Sequence, residues 1–587
     1  MPAPIEDYAL LSDCRTAALV SAAGSIDWLC LPRYDSPSVF GALLGDDAHG
    51  SWSLRPTDPS ATSERRYDGD TFILVTRWTT ESGVAEVHDF LAYDDHRHDL
   101  VRRVIGVRGD VEFESALRLR FDYARALPWV RQIGSPVQPA LLAIAGPDAL
   151  VARGPLHTAD GQAHIARWSV GADEAVDSTL TWAPSYREVP DPVDVEGAWE
   201  RTREWWTDWA GSLSHVGPHH TLVIRSLLVL RALTHRDTGG IVAAATTSLP
   251  EQVGGARNWD YRYVWLRDAA LTIQAYAAHG LLAAAAQWRE WLLRAIAGDP
   301  GDIQIMYGVA GERDLPEREL SSLPGYDGAA PVRVGNGAVS QWQADVIGEV
   351  MVALDAARRA GLAESQFSWA LQLQLLAQAA ATVDEPDQGI WEIRGEPRMF
   401  THSRVMMWAA FDRGVRAADE LGLEGDVELW RGLRDRLRDE IDARGVGADG
   451  FFVQHPDTTE VDAALLQLPL VGFCAADDPR MLRTVERIER TLMPDGFVRR
   501  YRTASGVDGL AGDENPFVAC SFWLVQQYAG SGRHADAAGL MATTCAAAND
   551  LGLLSEEYDP VSRHQLGNTP QALSHLALVG AADALAV

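Results

Sequence analysis

Lysine is missing from the 587-residue sequence, and all 51 of its Lys or Arg positions are arginine. That excludes Schiff-base chemistry, pyridoxal attachment and the lysine of a P-loop. Cationic residues are scarce as a class, 51 against 82 Asp and Glu, for a formal net charge of −31. Such a surface repels nucleic acid and anionic membranes, so neither is expected as a partner. Cysteine is sparse too. Cys14, Cys30, Cys474, Cys520 and Cys545 form no CxxC pair and are odd in number. This speaks against a disulfide framework or a zinc site and fits a reducing compartment. No apolar run approaches the ~18 residues of a membrane span. In the N-terminal MPAPIEDYALLSDC, acids precede the first basic residue, Arg15, the wrong order for a signal peptide. The expectation is a soluble cytoplasmic protein.

Other signatures are absent or misplaced. There is no GxSxG elbow, HExxH motif or EF-hand loop. Gly445–Gly450 matches GxGxxG, but it follows a helical pattern and precedes the strand-like Phe451–Gln454. A dinucleotide site needs the opposite order, so the segment reads as a turn. Asp94-Asp95-His96-Arg97-His98 has the residue types of a metal site but reads as a solvated turn. What the chain does have is tryptophan, 20 in all. Indole rings serve either as core filler or as platforms for the C–H faces of sugars.

The first ~200 residues carry the period-two pattern of strands. Val111, Phe113, Leu117, Leu119 and Phe121 share one parity, and Glu112, Glu114, Arg118 and Arg120 the other. Thr71–Trp78 and Leu100–Val107 are further β-rich runs, separated by turn signals at Asp68-Gly69 and Arg108-Gly109-Asp110. Several such strands predict an antiparallel β-sandwich over 1–190. A linker helix is expected within 191–218, where Trp199, Trp206 and Trp209 recur at near-helical spacing. From 219 to 587 the pattern is helical. About twelve helices, among them 283–298 and 459–471, alternate with long loops at 299–338, 384–401, 494–515 and 550–567. Two concentric rings of six, an (α/α)6 barrel, are predicted, with the long loops building a binding site.

Three segments concentrate the chemistry. In Asn258-Trp259-Asp260-Tyr261-Arg262-Tyr263-Val264-Trp265-Leu266-Arg267-Asp268, Arg and Asp offer a donor fork beside an acceptor pair for sugar hydroxyls. The plainer reading makes Asp268 a buried ion-pair partner. In Gly389-Ile390-Trp391-Glu392-Ile393-Arg394-Gly395, apolar neighbours would raise the Glu392 carboxyl pKa, as a general acid requires. The alternative is a structural pair with Arg394. In Leu554-Ser555-Glu556-Glu557-Tyr558-Asp559, the acids are either functional or a solvated loop.

Taken together, these segments resemble glycoside hydrolase family 15, the glucoamylase and bacterial trehalase family. The likeness runs from SDCRTAALVSAAGSIDWLCLPRYDSPSVFGALLG through TTSLPE, RNWDYRYVWLRD and GIWEIRGEPRMFTHSRVMMWAAFDRG to LGNTPQALSHLAL. The resemblance implies an exo-acting, inverting α-glucoside hydrolase with Glu392 as general acid and Glu556 as base, Glu557 being the alternative if the register slips by one. It assigns sugar contacts to Trp265, Arg267, Asp268, Trp391 and Arg500. Where fungal glucoamylases have an Asp and a second Glu flanking the acid, this chain has Gly389 and Ile393, and actinobacterial trehalases are closer. Trehalase is the expected activity. Alternatives are a glucoamylase or isomalto-oligosaccharide glucohydrolase of the same mechanism, or a non-catalytic sugar-binding protein on the same scaffold. The expected partner is a small carbohydrate substrate, and a homo-oligomer stays open. This chemistry requires no metal or cofactor, although some trehalases of the family respond to phosphate and magnesium.

Overall fold

The computed structural model describes residues 2–586 except 136–137, 216 and 297–302. The N-terminal part is two eight-stranded antiparallel sheets. One runs in the spatial order Tyr8–Ser12, Ala17–Ser21, Ser25–Cys30, Ser51–Pro56, Val111–Arg118, Ala163–Val170 and Thr158–Asp160, with Ser38–Phe40 added beside Ser25–Cys30. The other runs from Trp129–Gly134 to Thr62–Tyr67, with His98–Gly109 paired to both Ala175–Pro184 and Gly83–Leu91. Leu54, Phe113 and Val170 of the first sheet meet Trp78, Val87 and Val104 of the second in a dry interface. The predicted alternation on Val111–Arg118 puts Val111, Phe113 and Leu117 inside. A buried ion pair also ties the layers: Arg102 Nε donates to Asp89 Oδ1 at 2.8 Å while its Nη2 reaches the Gly24 carbonyl at 2.8 Å.

Helix α1, Val195–Gly211, follows, capped by the Asp194 side chain on the Gly197 amide. It joins the two parts through aromatic area, with Trp206 of the expected set and, beside it, Trp205, which the spacing did not single out. Trp206 packs edge-on against Phe72 and Trp205 stacks on Tyr93, while Arg231 of the next helix lies over Trp205.

The remaining helices are α2 His220–Ala232, α3 Leu266–Ala278, α4 Leu282–Ala295, α5 Asp345–Arg359, α6 Gln366–Ala381 and α7 Thr401–Leu421, then α8 Val427–Arg444, α9 Pro479–Leu492, α10 Val518–Gly530, α11 His534–Cys545 and α12 Ala572–Ala586. An inner ring closes through α3, α5, α7, the 3-10 segment Ala463–Gln467, α10 and α12, which packs back on α3. Helices α2, α4, α6, α8, α9 and α11 lie outside. The sequences explain the division. α10 is buried on nearly every side, whereas α9 buries only Met481, Thr484, Val485, Ile488 and Leu492, one stripe at helical spacing. The expected helix 459–471 is instead the short 3-10 turn. Pro469 lacks the amide that would carry an α-helix onward. The end of the expected helix 283–298 lies outside the described residues. Gly445–Gly450 is a turn after α8, with Gly450 at φ 74°, and Arg15 holds the 94–95 turn through the Asp95 carbonyl at 2.7 Å. Among the described residues no helix is long and apolar enough to cross a membrane.

Candidate active site

A cavity opens at one end of the barrel. Its walls come mostly from residues shortly before, or in the first turn of, the inner helices: Trp265, Arg267 and Asp268 at α3, Gln341 before α5, Trp391 and Glu392 before α7, Phe517 before α10 and Leu573 in α12, joined by Arg500 from the long loop between α9 and α10. The positive ends of several helix dipoles therefore converge here, favouring anionic side chains. Asp268 and Asp345 occupy first turns of α3 and α5.

The segment before α3 is sorted by parity. Asp260 and Arg262 turn away from the cavity into the junction with the sandwich, where Arg262 bonds Asp260 at 2.6 Å and the Tyr123 hydroxyl at 2.8 Å. Trp259, Tyr261 and Trp265 line the cavity. Alternating extended backbone thus gives one face to the domain junction and the other to the site. Of the Arg–Asp pairs seen in sequence, Asp260–Arg262 is structural. Arg267–Asp268, paired at 2.9 Å, is both an ion pair and part of the cavity wall.

Glu392 sits at φ 57°, in the left-handed region, at the end of a turn over Gly389. The turn is fastened by buried Asp387, which accepts from the Ser403 hydroxyl at 2.7 Å and from the amides of Ala344 and Gly389 at 3.0 and 3.1 Å. Trp265 Nε1 donates to Glu392 Oε1 at 2.6 Å, and Arg267 reaches the same oxygen at 3.5 Å while bonding the Ile390 carbonyl at 2.7 Å. Burial pushes the Glu392 carboxyl above the ordinary range, with Arg267 opposing. Arg394 is not its partner: that guanidinium pairs with Glu317 at 2.6 Å and lies over the Trp259 ring.

The acids of the 554–559 segment are not a solvated loop, since Glu556 and Glu557 are wholly buried. Tyr261 donates its hydroxyl to Glu556 Oε1 at 2.7 Å, and the Asn568 amide donates to Oε2 at 3.2 Å. Burial and nearby Glu251 push Glu556 up to about 8, with Arg500 and Tyr261 pulling down. Tyr261, rather than Glu556 itself, forms the cavity wall. The Tyr261 ring meets Trp265 edge-on at 5.5 Å. An aromatic pair therefore links the residue bonded to Glu556 with the residue bonded to Glu392.

Arg500 lines the cavity but is held from behind by acids. It contacts Glu514 at 2.7 Å, Glu251 at 3.0 Å and Glu557 at 3.5 Å. Arg257 shares Glu514 and bonds Asp508 at 2.6 Å. Trp391 packs among Tyr501, Phe517 and Trp523 and donates to Asp462 at 3.3 Å. Tyr261, Glu251, Trp259 and Gln341 also belong to the cavity. Tyr261 and Trp259 lay in a segment already singled out, and Glu251 ends TTSLPE. Gln341 carried no local signal. Two carboxyls, aromatic faces and a charged pair for hydroxyls make this a site equipped for acid–base chemistry on a carbohydrate.

The model "Glycosyl hydrolases family 15" matches residues 217–543 and 531–583, and "Trehalase-like, N-terminal" matches 1–152. A trehalase of Mycolicibacterium smegmatis is 37% identical, across 98% of this chain and 90% of that protein. A trehalase of Thermoplasma acidophilum is 34% identical, across 97% and 98%. A bacterial glucoamylase solved with acarbose superposes with a TM-score of 0.74 at 14% identity, covering 98% of this chain and 93% of its own. That likeness shows the shared fold, an N-terminal antiparallel sheet domain followed by an (α/α)6 barrel. With a matching model over more than half its length and near-full-length relatives, the chain belongs to glycosyl hydrolase family 15 and is a glycosidase.

Proposed function

We propose that the protein hydrolyses trehalose to two glucose molecules with inversion at the attacked carbon. The observation that carries this reading is the likeness to trehalases along nearly the whole chain, sandwich and barrel together. Glu392 is the general acid. Its Oε1 takes the Trp265 and Arg267 donors, which leaves Oε2 to carry the proton toward the glycosidic oxygen. Glu556 is the base. Both its oxygens accept hydrogen bonds, an arrangement that suits the ionised form once burial is overcome. A water held beside Tyr261 would attack behind the ring as the leaving oxygen is protonated, and the carboxyls of an inverting pair stand ~6.5–9.5 Å apart to admit it. Arg267 and Asp268 hold hydroxyls of the reacting ring, Trp391 and Arg500 line its surroundings, and residues 219–587 form the catalytic unit, with 1–190 as sandwich and 191–218 as linker.

Proton NMR of the early reaction tests the mechanism. Inversion on an α,α-linked disaccharide releases β-glucose from the attacked ring and α-glucose as leaving group in equal amounts. Retention would release α-glucose alone. A panel of trehalose, maltose, isomaltose and panose tests the substrate, and preference for maltose or isomaltose would replace the trehalase reading with a glucoamylase or isomalto-oligosaccharide one. A rival for the base is Glu251, which faces the cavity and accepts from Trp259 Nε1 at 3.1 Å. Azide should rescue Glu556→Ala as the β-glucosyl azide. Rescue of Glu251→Ala instead would move the base there.

A further inference from the structure

At the barrel end away from the cavity, three side chains from distant parts of the chain converge. His215 follows α1, His279 caps the C-terminus of α3, and Asp583 lies near the end of α12. Their hydrogen bonds define which ring nitrogens carry hydrogen. His279 Nδ1 lies 3.0 Å from the Ser214 carbonyl, and His215 Nε2 lies 3.4 Å from the Pro218 carbonyl. A carbonyl oxygen only accepts, so both of these nitrogens are N–H donors. In the neutral rings the other two nitrogens therefore present lone pairs, and both face one carboxylate, so the hydrogen bond of His279 Nε2 to Asp583 forms only when a proton occupies the position an ion would take. His279 Nε2 is 3.2 Å from Asp583 Oδ2, and His215 Nδ1 is 3.6 Å from Asp583 Oδ1.

Three electron-pair donors pointing at one another need positive charge between them. We propose that His215 Nδ1, His279 Nε2 and the Asp583 carboxylate bind a divalent transition-metal ion of the zinc class. The donor set of two imidazoles and a carboxylate suits such an ion. Bonds of ~2.0–2.1 Å in a tetrahedron give edges of ~3.3 Å, which the two separations bracket. The outer nitrogens of both rings are already held by backbone carbonyls, the support that orients metal-bound histidines. The C-terminal end of α3 adds favourable potential for a cation. His215 and His279 side chains are only 2% and 4% exposed, while Asp583 at 39% leaves an entry path and room for water as fourth ligand. The ion would fasten the segment after α1 to the ends of two neighbouring inner helices. It stands apart from the carboxyls of the cavity, so its role is structural. Sparse cysteine had argued against zinc, but that argument does not reach histidines brought together by folding.

The test uses the tag-free full-length chain. Zinc in slight excess over EDTA-stripped protein should bind at one ion per chain and raise Tm, and Co2+ should give visible d–d absorption. Asp583→Asn and His279→Gln should each weaken zinc binding by more than about a hundredfold and abolish the cobalt spectrum, leaving turnover at ambient temperature unchanged. Asp583→Asn, at a half-exposed position, guards against misfolding. An equal zinc response in wild type and Asp583→Asn would overturn the proposal. So would a wild type that ignores zinc while its metal-free Tm rises on acidification through the histidine range, because protons alone would then bind the trio together.

Discussion

At the residue scale the two carboxyls differ in both burial and partners: Glu392 faces the cavity part-exposed, while Glu556 is sealed behind Tyr261. Glu392→Gln keeps the acceptor oxygen for Trp265 but has no proton to give, and kcat should fall at least ~10²–10⁴-fold. α-Glucosyl fluoride, whose leaving group needs little protonation, should lose far less, and turnover within about tenfold of wild type on trehalose would remove Glu392 from its role. Tyr261→Phe deletes a donor to Glu556, a bond to a charged group of about 1.5–3 kcal/mol. The base must be ionised to act, and with burial pushing it up to about 8 the rate should already decline as pH falls from 8 through neutrality. Tyr261→Phe moves this acid limb further up, because the lost bond favoured the anion. A limb of kcat/KM near the ordinary glutamate value in wild type would show that Arg500 and Tyr261 outweigh burial at Glu556.

At the scale of elements, short loops ahead of the inner helices do the positioning. Gly567, between the strands Glu557–Asp559 and His564–Leu566 and α12, has φ 72°, and a Cβ there would lie 2.5 Å from Glu556 Oε2. Gly567→Ala should therefore cost about 1 kcal/mol or more of stability and a larger share of activity, since displacing a reacting group by ~1 Å costs ~10²-fold. A kcat equal to wild type would show that Glu556 has slack. The same logic explains the segment before α3. Its pattern of alternating aromatics and charges is legible as functional, yet only the pairing of Thr247–Pro250 with Asn258–Asp260 settles which parity faces the cavity.

For the whole molecule, the polar heart of the barrel links stability to pH. Burial pushes Asp345 up to about 6, Asp387 and Asp462 up to about 7, and Glu349 and Glu556 up to about 8. The folded chain keeps protons on these groups that the unfolded chain releases above about pH 4, so they cost stability as pH rises toward 8. Half-buried His157 and buried His235 are pushed down to about 4 by burial, and His402 and His575 to about 3. They act in the opposite sense, losing stability as pH falls below the unfolded value near 6.5. The two sets oppose each other below 6.5, and above it only the carboxyls act. Calorimetry at constant ionic strength should show Tm falling by a few degrees between pH 6.5 and 8, and Glu349→Gln should flatten that slope. A Tm that climbs over this range would show these carboxyls to be ionised in the fold.

The sequence by itself determined the family, the order of sandwich, linker helix and barrel, and the segments that build the cavity. These are local signals: strand and helix periods, Trp391 and Ile390 beside Glu392, and motifs continuous along the chain. Tertiary structure alone decided which of those residues meet. Arg394 leaves Glu392 for Glu317, the 554–559 acids are sealed rather than solvated, and Arg500 answers to Glu251, Glu514 and Glu557. Asp260 and Arg262 serve the junction while their neighbours serve the cavity. The physical reason is that periodicity reports how a side chain sits relative to its own element. The partners of a charge in a closed barrel come from helices far away in sequence, brought together by packing that no single segment encodes.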